Sequence, residues 1–391
     1  MKLKTLENVA LEGKIVLLRT DFNVPLEDGV VQDQTRLRES LKTIQFLLEQ
    51  GVKVVIATHL GRPKGKVVEE LRLNPVATAL SVLLGKPVIK LNDCVGAEVQ
   101  TAISSAPFGS VILLENLRFH PEEEANDATF AAELAVGKDL YVSDAFGTVH
   151  RAHASTVGVT KLLPSYAGFL VQKEVEVLSG ILENPKKPLA LVVGGAKVDT
   201  KIGILEKFLN SADVFVIGGA LANTFLAAQG YAVGTSLYEA DKIEVAKRFL
   251  AAAVGKTVLL PSDVVIATDL TPGLPVQEVS VDAVPADQKI LDLGSKTRVA
   301  FAAGLAGVQT ILWNGPMGLY EQEAFAAGTR DLALAIADLN AVKVLGGGDT
   351  IDALAHFGIP TEKFTHISTG GGAMLEFLEG KMLPGVEVLL A

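Results

Sequence analysis

The segment KIVLLRTDFNVP, residues 14 to 25, joins a short apolar run to a polar turn. The run KIVLL is rich in aliphatic and β-branched side chains, which is typical of a buried strand. Asp21 and Asn23 before Pro25 are common turn residues, because their side chains bond nearby backbone groups and proline fixes φ. Two interpretations stay open: the turn only ends the strand, or it also brings Asp21 and Asn23 to a ligand.

Runs of the same kind alternate with longer segments of helical period along the chain. In Thr35 to Gln50, for example, Leu37, Ile44 and Leu48 fall on one helical face. This alternation predicts an α/β fold in which crossover helices join parallel strands. The predicted strands are Lys14 to Leu18, Lys53 to Thr58, Val111 to Leu114, Leu140 to Ser143, Leu189 to Val193, Val214 to Ile217, Thr257 to Leu260, Thr310 to Trp313, Val342 to Leu345 and Phe364 to Ile367.

The length of 391 residues exceeds what one hydrophobic core usually supports, so two domains are expected. The segment FLVQKEVEVLSGILE, residues 169 to 183, has an apolar stripe of helical period and is followed by NPKKP. We therefore predict a hinge helix and linker at 171 to 188, between a first domain at 1 to 170 and a second at 189 to 372. In residues 373 to 391 a short helix, MLEFLEGK, precedes a Pro-Gly break and an apolar tail.

Composition excludes several classes of protein. A formal net charge of −10 argues against a general nucleic-acid binder, since such proteins concentrate positive charge against phosphates. The single cysteine, Cys94, excludes an intramolecular disulfide and suits a reducing compartment. The N-terminal residues lack a signal-peptide core, and the apolar stretch from Val299 to Trp313 is too short to span a bilayer. We expect a soluble, cytoplasmic protein.

Cationic side chains follow the predicted strands of the first half. Ligands of an open parallel sheet bind beyond the carboxyl ends of its strands, so these side chains are expected to share one edge. Arginine binds carboxylate and phosphate groups with paired hydrogen bonds. Because arginines are interleaved with the histidines of these segments, a metal cation bound by those histidines is disfavoured. A small, multiply anionic ligand is predicted, although any one arginine could form only a surface ion pair. The residues are Arg19, Arg36, His59, Arg62, Arg118, His150 and Arg151.

Glycine-rich turns follow the predicted strands of the second half: VVGGAKVDTK, VIGGALANTF, WNGPMG, VLGGGDT and HISTGGGA. Glycine lets the backbone approach a ligand closely, and a helix start offers unpaired N–H groups to phosphates. Neither GxGxxG nor GxxxxGK[ST] is present, and each glycine alone could serve only a tight turn. Lys197 and Lys201 share a helical face, and Asp349 with Thr350 begins another helix. A carboxylate beside a phosphate cradle indicates Mg²⁺, so a magnesium nucleotide is predicted.

A site for a small anion and a site for a nucleotide, in two domains, favour phosphoryl transfer across a cleft. This chemistry needs mainly positioning and charge stabilisation, which Arg, Lys, Mg²⁺ and backbone N–H groups provide. The cleft is expected to close on binding, because water competes for the transferred group. Two alternatives stay open: a nicotinamide-dependent dehydrogenase, which would need the missing GxGxxG, and a two-domain binder without chemistry.

Eight motifs in order resemble those of the phosphoglycerate kinase family. They are RTDFNVP, HLGRPKG, ENLRFHPEEE, DAFGTVHRAHAST, GGAKVDTKI, WNGPMGLYE, GGGDT and STGGGAMLEFLEGK, which extend from residue 19 to residue 381. The resemblance implies two Rossmann-like domains whose parallel sheets face each other across a hinged cleft. It also implies reversible phosphoryl transfer between 1,3-bisphosphoglycerate and MgADP, giving 3-phosphoglycerate and MgATP, by in-line transfer after domain closure. A monomer is implied, and the segment 373 to 391 is expected to return to the phosphoglycerate-binding first domain.

The resemblance assigns roles to individual residues. Phosphoglycerate would be bound by Asp21, Asn23, Arg36, His59, Arg62, Arg118 and Arg151. The catalytic residues would be Arg36, Lys197, Lys201 and Gly371. The nucleotide would be bound by Lys201, Gly218, Gly219, Gly294, Glu321, Gly347, Gly348, Asp349 and Thr350, with Asp349 meeting Mg²⁺ and Glu321 the ribose. The sequence departs from the family pattern at Ser295 in LDLGSKT, where proline is usual, and in the motif GPMGLYE. These departures put only the fine nucleotide affinity in doubt.

Overall fold

The computed structural model describes residues 1–271 and 273–391. By its internal contacts the chain divides into two compact units. Unit 1 contains Met1–Ser179 together with Met382–Ala391, and unit 2 contains Gly180–Lys381. No helix among the described residues combines the length and the apolar character that crossing a membrane requires.

The strands are numbered in chain order. They are β1 (Ile15–Thr20), β2 (Leu26–Glu27), β3 (Val30–Val31), β4 (Lys53–Ala57), β5 (Val88–Lys90), β6 (Val111–Leu113), β7 (Leu140–Asp144), β8 (Ser165–Ala167), β9 (Leu189–Val193), β10 (Val214–Ile217), β11 (Thr257–Leu259), β12 (Asp263–Ala267), β13 (Gln277–Ser280), β14 (Lys289–Leu293), β15 (Thr310–Asn314), β16 (Val342–Gly346) and β17 (His366–Ser368).

The α-helices are numbered in the same way. They are α1 (Thr35–Glu49), α2 (Asn74–Leu84), α3 (Ala97–Ser105), α4 (Pro121–Glu124), α5 (Ala128–Ala135), α6 (Phe169–Glu183), α7 (Ile202–Phe208), α8 (Gly219–Ala228), α9 (Ile243–Ala252), α10 (Ser295–Gly304), α11 (Ala327–Asp338), α12 (Gly348–His356), α13 (Gly372–Leu378) and α14 (Pro384–Glu387).

Unit 1 is built on a six-stranded sheet in the order β5-β6-β4-β1-β7-β8. All of its strands pair in parallel. In β1 the side chains of Val16 and Leu18 pack into one hydrophobic cluster, whereas Leu17 packs into another. Helices and loops therefore cover both faces of the sheet, which is why its central strands are continuous apolar runs.

Unit 2 repeats the plan with a six-stranded parallel sheet in the order β11-β10-β9-β15-β16-β17. Trp313 at the centre of this sheet is fully buried, and its indole N–H donates to the Gly315 carbonyl at 2.8 Å. The predicted α/β class with two parallel sheets is confirmed.

Differences from the predicted elements are local. The sequence patterns do not predict the antiparallel sheet β13-β12-β14, because β13 is short and largely exposed and therefore lacks an apolar period. The three-residue strands β5 and β8 are also not predicted, since they are too short to show a period. Pro384 begins α14 where a Pro-Gly break was expected, because the first turn of a helix does not need its missing N–H.

Strand β1 continues two residues beyond the predicted end at Leu18, to Thr20. Arg19 is consequently inside the strand and only 1% exposed, so it lies in the interior and not among the side chains of the loops. The parallel register continues past Leu18 and pairs Arg19 with Ala57 and with Ser143, which draws its side chain into the interior.

The C-terminal segment is tied to the start of the chain by backbone hydrogen bonds. Lys4 N donates to the Leu389 carbonyl at 2.8 Å, and Ala391 N donates to the Lys2 carbonyl at 3.0 Å. Gly385 N donates to Val149 O at 2.8 Å. These contacts lie within unit 1, whereas α13 belongs to unit 2.

The start of α6 depends on a close approach between Gly168 and Asp144. A Cβ at Gly168 would lie 2.3 Å from Asp144 Oδ1, and that oxygen accepts a hydrogen bond from Leu170 N at 2.9 Å. We predict that Gly168→Ala lowers the free energy of unfolding by about 1–3 kcal/mol, since overpacking a fixed site is costly. Urea denaturation measures this change.

Gly180→Ala is the matched control in the same helix, because an added Cβ there has no neighbour within 4 Å. It should raise the free energy of unfolding by about 0.5–1 kcal/mol, the usual gain of alanine over glycine in a helix. Equal changes in the two variants would contradict the steric account of Gly168.

Asp144 is fully buried, and burial raises the pKa of its carboxyl group to about 7, against the hydrogen bonds from Thr43 and Leu170. The folded protein then holds a proton that the unfolded chain releases near pH 4, so stability falls as pH rises from about 4 to 7. Asp144→Asn removes this decline. We compare the free energy of unfolding of Asp144→Asn with that of the parent protein at each pH. The difference should increase by about 2 kcal/mol in favour of the variant from pH 5.5 to pH 8, at about 1.4 kcal/mol per pH unit up to pH 7. A difference in the free energy of unfolding between variant and parent that is equal at pH 5.5 and pH 8 would contradict the prediction.

Candidate functional site

Four parallel strands of unit 1 deliver polar side chains to one edge of the sheet. Asp21 directly follows β1, and His59 follows β4 by one residue. Arg118 lies in a 3-10 turn after β6, and Arg151 follows a similar turn after β7. The carboxyl ends of parallel strands meet at the same edge, so residues far apart in sequence form one basic cluster, defined here as Asp21, Asn23, Arg36, His59, Arg62, Arg118 and Arg151.

Asp21 organises the centre of the basic cluster. Its Oδ2 accepts a hydrogen bond from Nη1 of Arg36 at the start of α1, and its Oδ1 lies 3.9 Å from His59 Nδ1. Asn23 Oδ1 accepts from Gly61 N at 2.8 Å, which joins the loop after β1 to the loop after β4. The turn thus positions side chains from two strands, beyond ending the first.

Arg118 is held by the loops around it. Its Nη1 donates to the Gly61 carbonyl at 2.9 Å, and its Nε lies 3.1 Å from a carboxylate oxygen of Glu124. Burial lowers the pKa of Arg118 from its usual value. By contrast, Arg62 and Arg151 are exposed, so their guanidinium groups are available to a ligand from solvent.

His59 and His153 at this edge carry no charge at neutral pH. Burial and the neighbouring Arg19 lower the pKa of His59 well below its usual range, and the same causes lower that of His153 to about 4. The positive charge of the cluster therefore comes from its arginines. Such a cluster can bind a small anion through charged hydrogen bonds and through neutral donors.

One group of possible metal ligands exists among the described residues, at Asp93, Cys94 and His120. Asp93 Oδ1 is already 2.7 Å from His120 Nε2 and accepts from Cys94 N at 2.7 Å. Burial raises the pKa of the Cys94 thiol well above its usual value, so the thiolate that binds metals is disfavoured. The group is satisfied by its own hydrogen bonds.

Unit 2 has two adjoining cavities. The larger, about 610 Å³, is mainly apolar and is called the large cavity; the smaller, about 250 Å³, is called the small cavity. Both are bordered by Gly195, Ala196, Pro316 and Asp349. The small cavity is completed by Lys197, Thr200, Lys201, Asn314, Gly315, Gly347, Gly348 and Thr350.

Lys201 provides the buried charge of the small cavity. Its Nζ donates to Asn314 Oδ1, and Asn314 Nδ2 in turn donates to the Gly346 carbonyl at 2.8 Å. Burial lowers the pKa of Lys201 to about 8, while Asp349 opposes that shift. Lys197 is exposed at the opening of the same cavity.

The turn into α12 requires glycine. Gly347 has φ of +100°, and a Cβ there would approach Asn314 Nδ2 to 3.1 Å. The following helix start presents backbone N–H groups and the Thr350 hydroxyl, which accepts from Gly315 N at 2.8 Å. Such a start attracts phosphate oxygens.

Asp349 is the residue predicted to meet Mg²⁺. It is exposed in the first turn of α12 and forms no ion pair with any described residue. A single available carboxylate beside a phosphate-sized cavity suits Mg²⁺, which uses one or two carboxylates together with phosphate oxygens and water. The donor set therefore fits this ion.

The large cavity is lined by Gly219 and by apolar side chains of β14 and of neighbouring loops, with Glu321 exposed at its border. A flat, mainly apolar ligand with few polar groups fits such a lining. Asp292 in β14 also borders it; burial raises the pKa of this carboxyl group to about 7, and its Oδ2 accepts from Gly328 N at 2.8 Å.

Three predicted glycines lie outside both linings. A Cβ at Gly218 would approach Met317 Sδ to 2.3 Å, and one at Gly294 would approach Asp263 Cγ to 2.3 Å, so close packing requires both glycines. Gly371 precedes α13 with φ of +52°. Ser295, the departure noted in the sequence, donates to Glu278 Oε1 at 2.5 Å.

Sequence reasoning overlooked Asn314 and Asp292. Asn314 ends β15 inside the quoted motif WNGPMG, where the glycines were taken as the signal. Asp292 is a single carboxylate within the apolar strand KILDL. A polar residue at or near the carboxyl end of an apolar strand could have indicated both.

The chain is similar to known proteins along nearly its whole length. The family model described as phosphoglycerate kinase matches residues 6–381. The chain is 53% identical to phosphoglycerate kinase of Moorella thermoacetica over 98% of both chains, and 51% identical to that of Pelotomaculum thermopropionicum over 100% of both. The structure of phosphoglycerate kinase from Coxiella burnetii matches with a TM-score of 0.87 and 43% identity, over 99% of this chain and 98% of that one.

The match covers both units and includes the basic cluster and both cavities. The chain belongs to the phosphoglycerate kinase family.

Proposed function

We propose that the basic cluster of unit 1 binds phosphoglycerate and that the two cavities of unit 2 bind the nucleotide. The single observation that carries this proposal is the division of ligand chemistry: arginines meet at the strand ends of unit 1, whereas a glycine-lined cradle with Lys201 adjoins an apolar cavity in unit 2.

The activity itself follows from the family. The chain is a phosphotransferase with a carboxyl group as acceptor: it transfers a phosphoryl group between 1,3-bisphosphoglycerate and ADP, with 3-phosphoglycerate and ATP on the other side of the equilibrium.

In unit 1, we assign the exposed Arg62 and Arg151 and the largely buried Arg118 to anionic groups of phosphoglycerate. Asp21 would accept from the substrate hydroxyl group, because a carboxylate repels the anionic ends. Asn23 can serve as a donor through its amide N–H₂, since its Oδ1 is occupied by Gly61 N.

In unit 2, we assign the adenine ring to the large cavity, with Gly219 beneath it and Glu321 at the ribose. The polyphosphate would lie in the small cavity against Lys201, Thr350 and the N–H groups that follow Gly347. Gly218, Gly294 and Gly371 would act through the turns they permit.

Asp349 would hold Mg²⁺ together with the nucleotide phosphates. The ion, when bound, neutralises charge on the phosphate oxygens. The chain's own contribution is the rest of the cradle: Lys201 and the α12 N–H groups orient the phosphates, while Lys197 and Arg36 provide positive charge around the transferred group.

Transfer requires the acyl phosphate and the nucleotide to approach to bonding distance, and the two proposed sites belong to different units. We therefore propose in-line transfer after closure about a hinge that includes α6. Small-angle X-ray scattering with both substrates, compared with each substrate alone, tests this closure.

We further propose that the working form is a cytoplasmic monomer. The single buried cysteine is compatible with a reducing compartment. Analytical ultracentrifugation of the purified protein tests the monomer.

The decisive experiment measures ATP consumption and formation of 1,3-bisphosphoglycerate with 3-phosphoglycerate and Mg²⁺. Turnover that requires all three components is expected. Substrate binding by folded protein without turnover would favour the alternative of a binder without chemistry and would overturn the proposal.

A further inference from the structure

We propose that Arg19 fixes the tautomer of His59, so that the imidazole presents a neutral Nε2–H donor to the anionic ligand of the basic cluster. Arg19 is then a positioning residue that acts through His59. The ligand in this proposal rests on the proposed function, whereas the tautomer can be measured without any ligand.

Each of the three guanidinium nitrogens of Arg19 has a partner inside the protein. Its Nε donates to Ser155 Oγ at 2.8 Å, its Nη1 donates to the Thr20 carbonyl, and its Nη2 lies 3.2 Å from His59 Nδ1. The side chain is only 1% exposed. Direct contact with a ligand would require these bonds to break, so Arg19 differs from the exposed arginines of the cluster.

Two groups compete for the Nδ1 atom of His59, and they demand opposite protonation states. Asp21 Oδ1, at 3.9 Å, would accept a proton carried by Nδ1. Arg19 Nη2, at 3.2 Å, can only donate, so it requires a lone pair on Nδ1. The closer partner determines the state, and the second carboxylate oxygen of Asp21 is held by Arg36. The ring proton is therefore on Nε2.

The surrounding charge keeps the ring from taking a second proton. Burial and the positive charges of Arg19, Arg118 and Arg36 lower the pKa of His59 well below its usual range, and His153 acts in the same direction. Asp21 is the carboxylate nearest to Nδ1, but its charge is shared with Arg36. His59 consequently stays neutral through the physiological range.

Arg19 is itself held in position by Ser155 and, through it, by Glu123. Ser155 Oγ, which accepts from Arg19 Nε, donates to Glu123 Oε1 at 2.5 Å, and Ser155 N donates to Glu123 Oε2 at 2.9 Å. Glu123 is fully buried, so its carboxylate compensates the buried guanidinium charge through one intervening hydroxyl. This chain of contacts, Glu123–Ser155–Arg19–His59, connects the interior of unit 1 to the basic cluster.

No described residue hydrogen-bonds to Nε2 of His59, and 5% of the side-chain surface remains accessible. A neutral N–H in a basic cluster prefers an oxygen acceptor and adds no further charge. It can therefore orient a carboxylate or phosphate oxygen without increasing the repulsion among the arginines. In the other tautomer Nε2 would present a lone pair that repels the same oxygen.

The test is a long-range ¹H–¹⁵N correlation spectrum of [¹⁵N]histidine-labelled protein at pH 7 without ligand. The chain has six histidines, and the signal of His59 is assigned by its loss in His59→Gln. We expect a non-protonated Nδ1 and a protonated Nε2. A protonated Nδ1 in the parent protein would overturn the proposal, whatever the activity.

Arg19→Lys keeps the charge, but its single ammonium nitrogen cannot take the places of the three guanidinium nitrogens that contact Ser155, Thr20 and His59. We expect its spectrum to show mixed tautomers and the KM for 3-phosphoglycerate to rise by up to about tenfold, in proportion to the lost fraction of the competent tautomer. In a His59→Gln background the amide N–H₂ replaces Nε2–H. There the substitution Arg19→Lys should alter KM for 3-phosphoglycerate by less than about twofold.

An equal rise of KM in both backgrounds would show that Arg19 acts independently of His59 and would overturn the proposal. If Arg19→Lys does not fold, the spectrum of the parent protein alone tests the proposal. A parent that shows the expected tautomer but no turnover would leave this inference standing and would reject the activity.

Discussion

Arg36→Ala is expected to lower kcat by about 10³, the magnitude associated with an arginine that stabilises charge on a transferring phosphoryl group. Arg36 is bound to Asp21 Oδ2 and keeps 30% of its side-chain surface exposed, so it is oriented while one face remains open to the ligand. Steady-state kinetics with saturating 3-phosphoglycerate and ATP measures kcat separately from KM.

The matched control is Arg38→Ala, two residues further along α1. Arg38 is exposed, and its contact is a 3.1 Å hydrogen bond to Gln34 Oε1. Its kcat should stay within about twofold of the parent, because a surface contact of this kind contributes little. An Arg36→Ala effect confined to KM would instead make Arg36 a residue that binds ground state and transition state equally.

Lys201→Met should lower kcat/KM for ATP by about 10² to 10³, the usual loss of one preorganised donor in a water-excluded site. Methionine keeps much of the apolar stem but removes the charge and leaves Asn314 Oδ1 without its donor. ATP binding should also depend on pH. Because burial lowers the pKa of Lys201 to about 8, its charge is present below pH 8 and is lost above it, so ATP affinity should fall between pH 7 and pH 9.

Lys207→Met, at an exposed position in the last turn of α7, is the control for a general loss of positive charge and should leave kcat/KM unchanged. Lys201→Arg tests the titration, since arginine keeps its charge at pH 9 and should abolish the fall in affinity. A fall of the same size in Lys201→Arg would assign the pH dependence to another group.

Much of the fold can be predicted from local pattern. The apolar stripe of FLVQKEVEVLSGILE predicts a helix at 169 to 183, and α6 occupies Phe169–Glu183. The apolar runs locate most strands of both parallel sheets to within one or two residues. The glycine turns and the polar residues after β1 and β4 indicate where a site should lie, because strand ends of a parallel sheet meet at one edge.

Other features cannot be predicted from local sequence pattern. The Arg19–Ser155 bond joins residues 136 positions apart, and the Lys201–Asn314 bond joins residues 113 apart. Nothing in either segment alone distinguishes a buried Arg19 from the exposed arginines of the cluster. The antiparallel sheet β13-β12-β14 escapes for another reason, since its exposed strand β13 has no apolar period.

The sequence by itself determined the α/β class, the order of most elements and, through eight ordered motifs, the family. Only the tertiary structure decided that Arg19 points into the core, that His59 Nδ1 meets a donor 3.2 Å away, and that Asn314 supports Lys201. The physical reason is that periodicity reports which face of a segment is buried. Hydrogen-bond partners, burial and the protonation they impose depend on which distant segments the fold brings together.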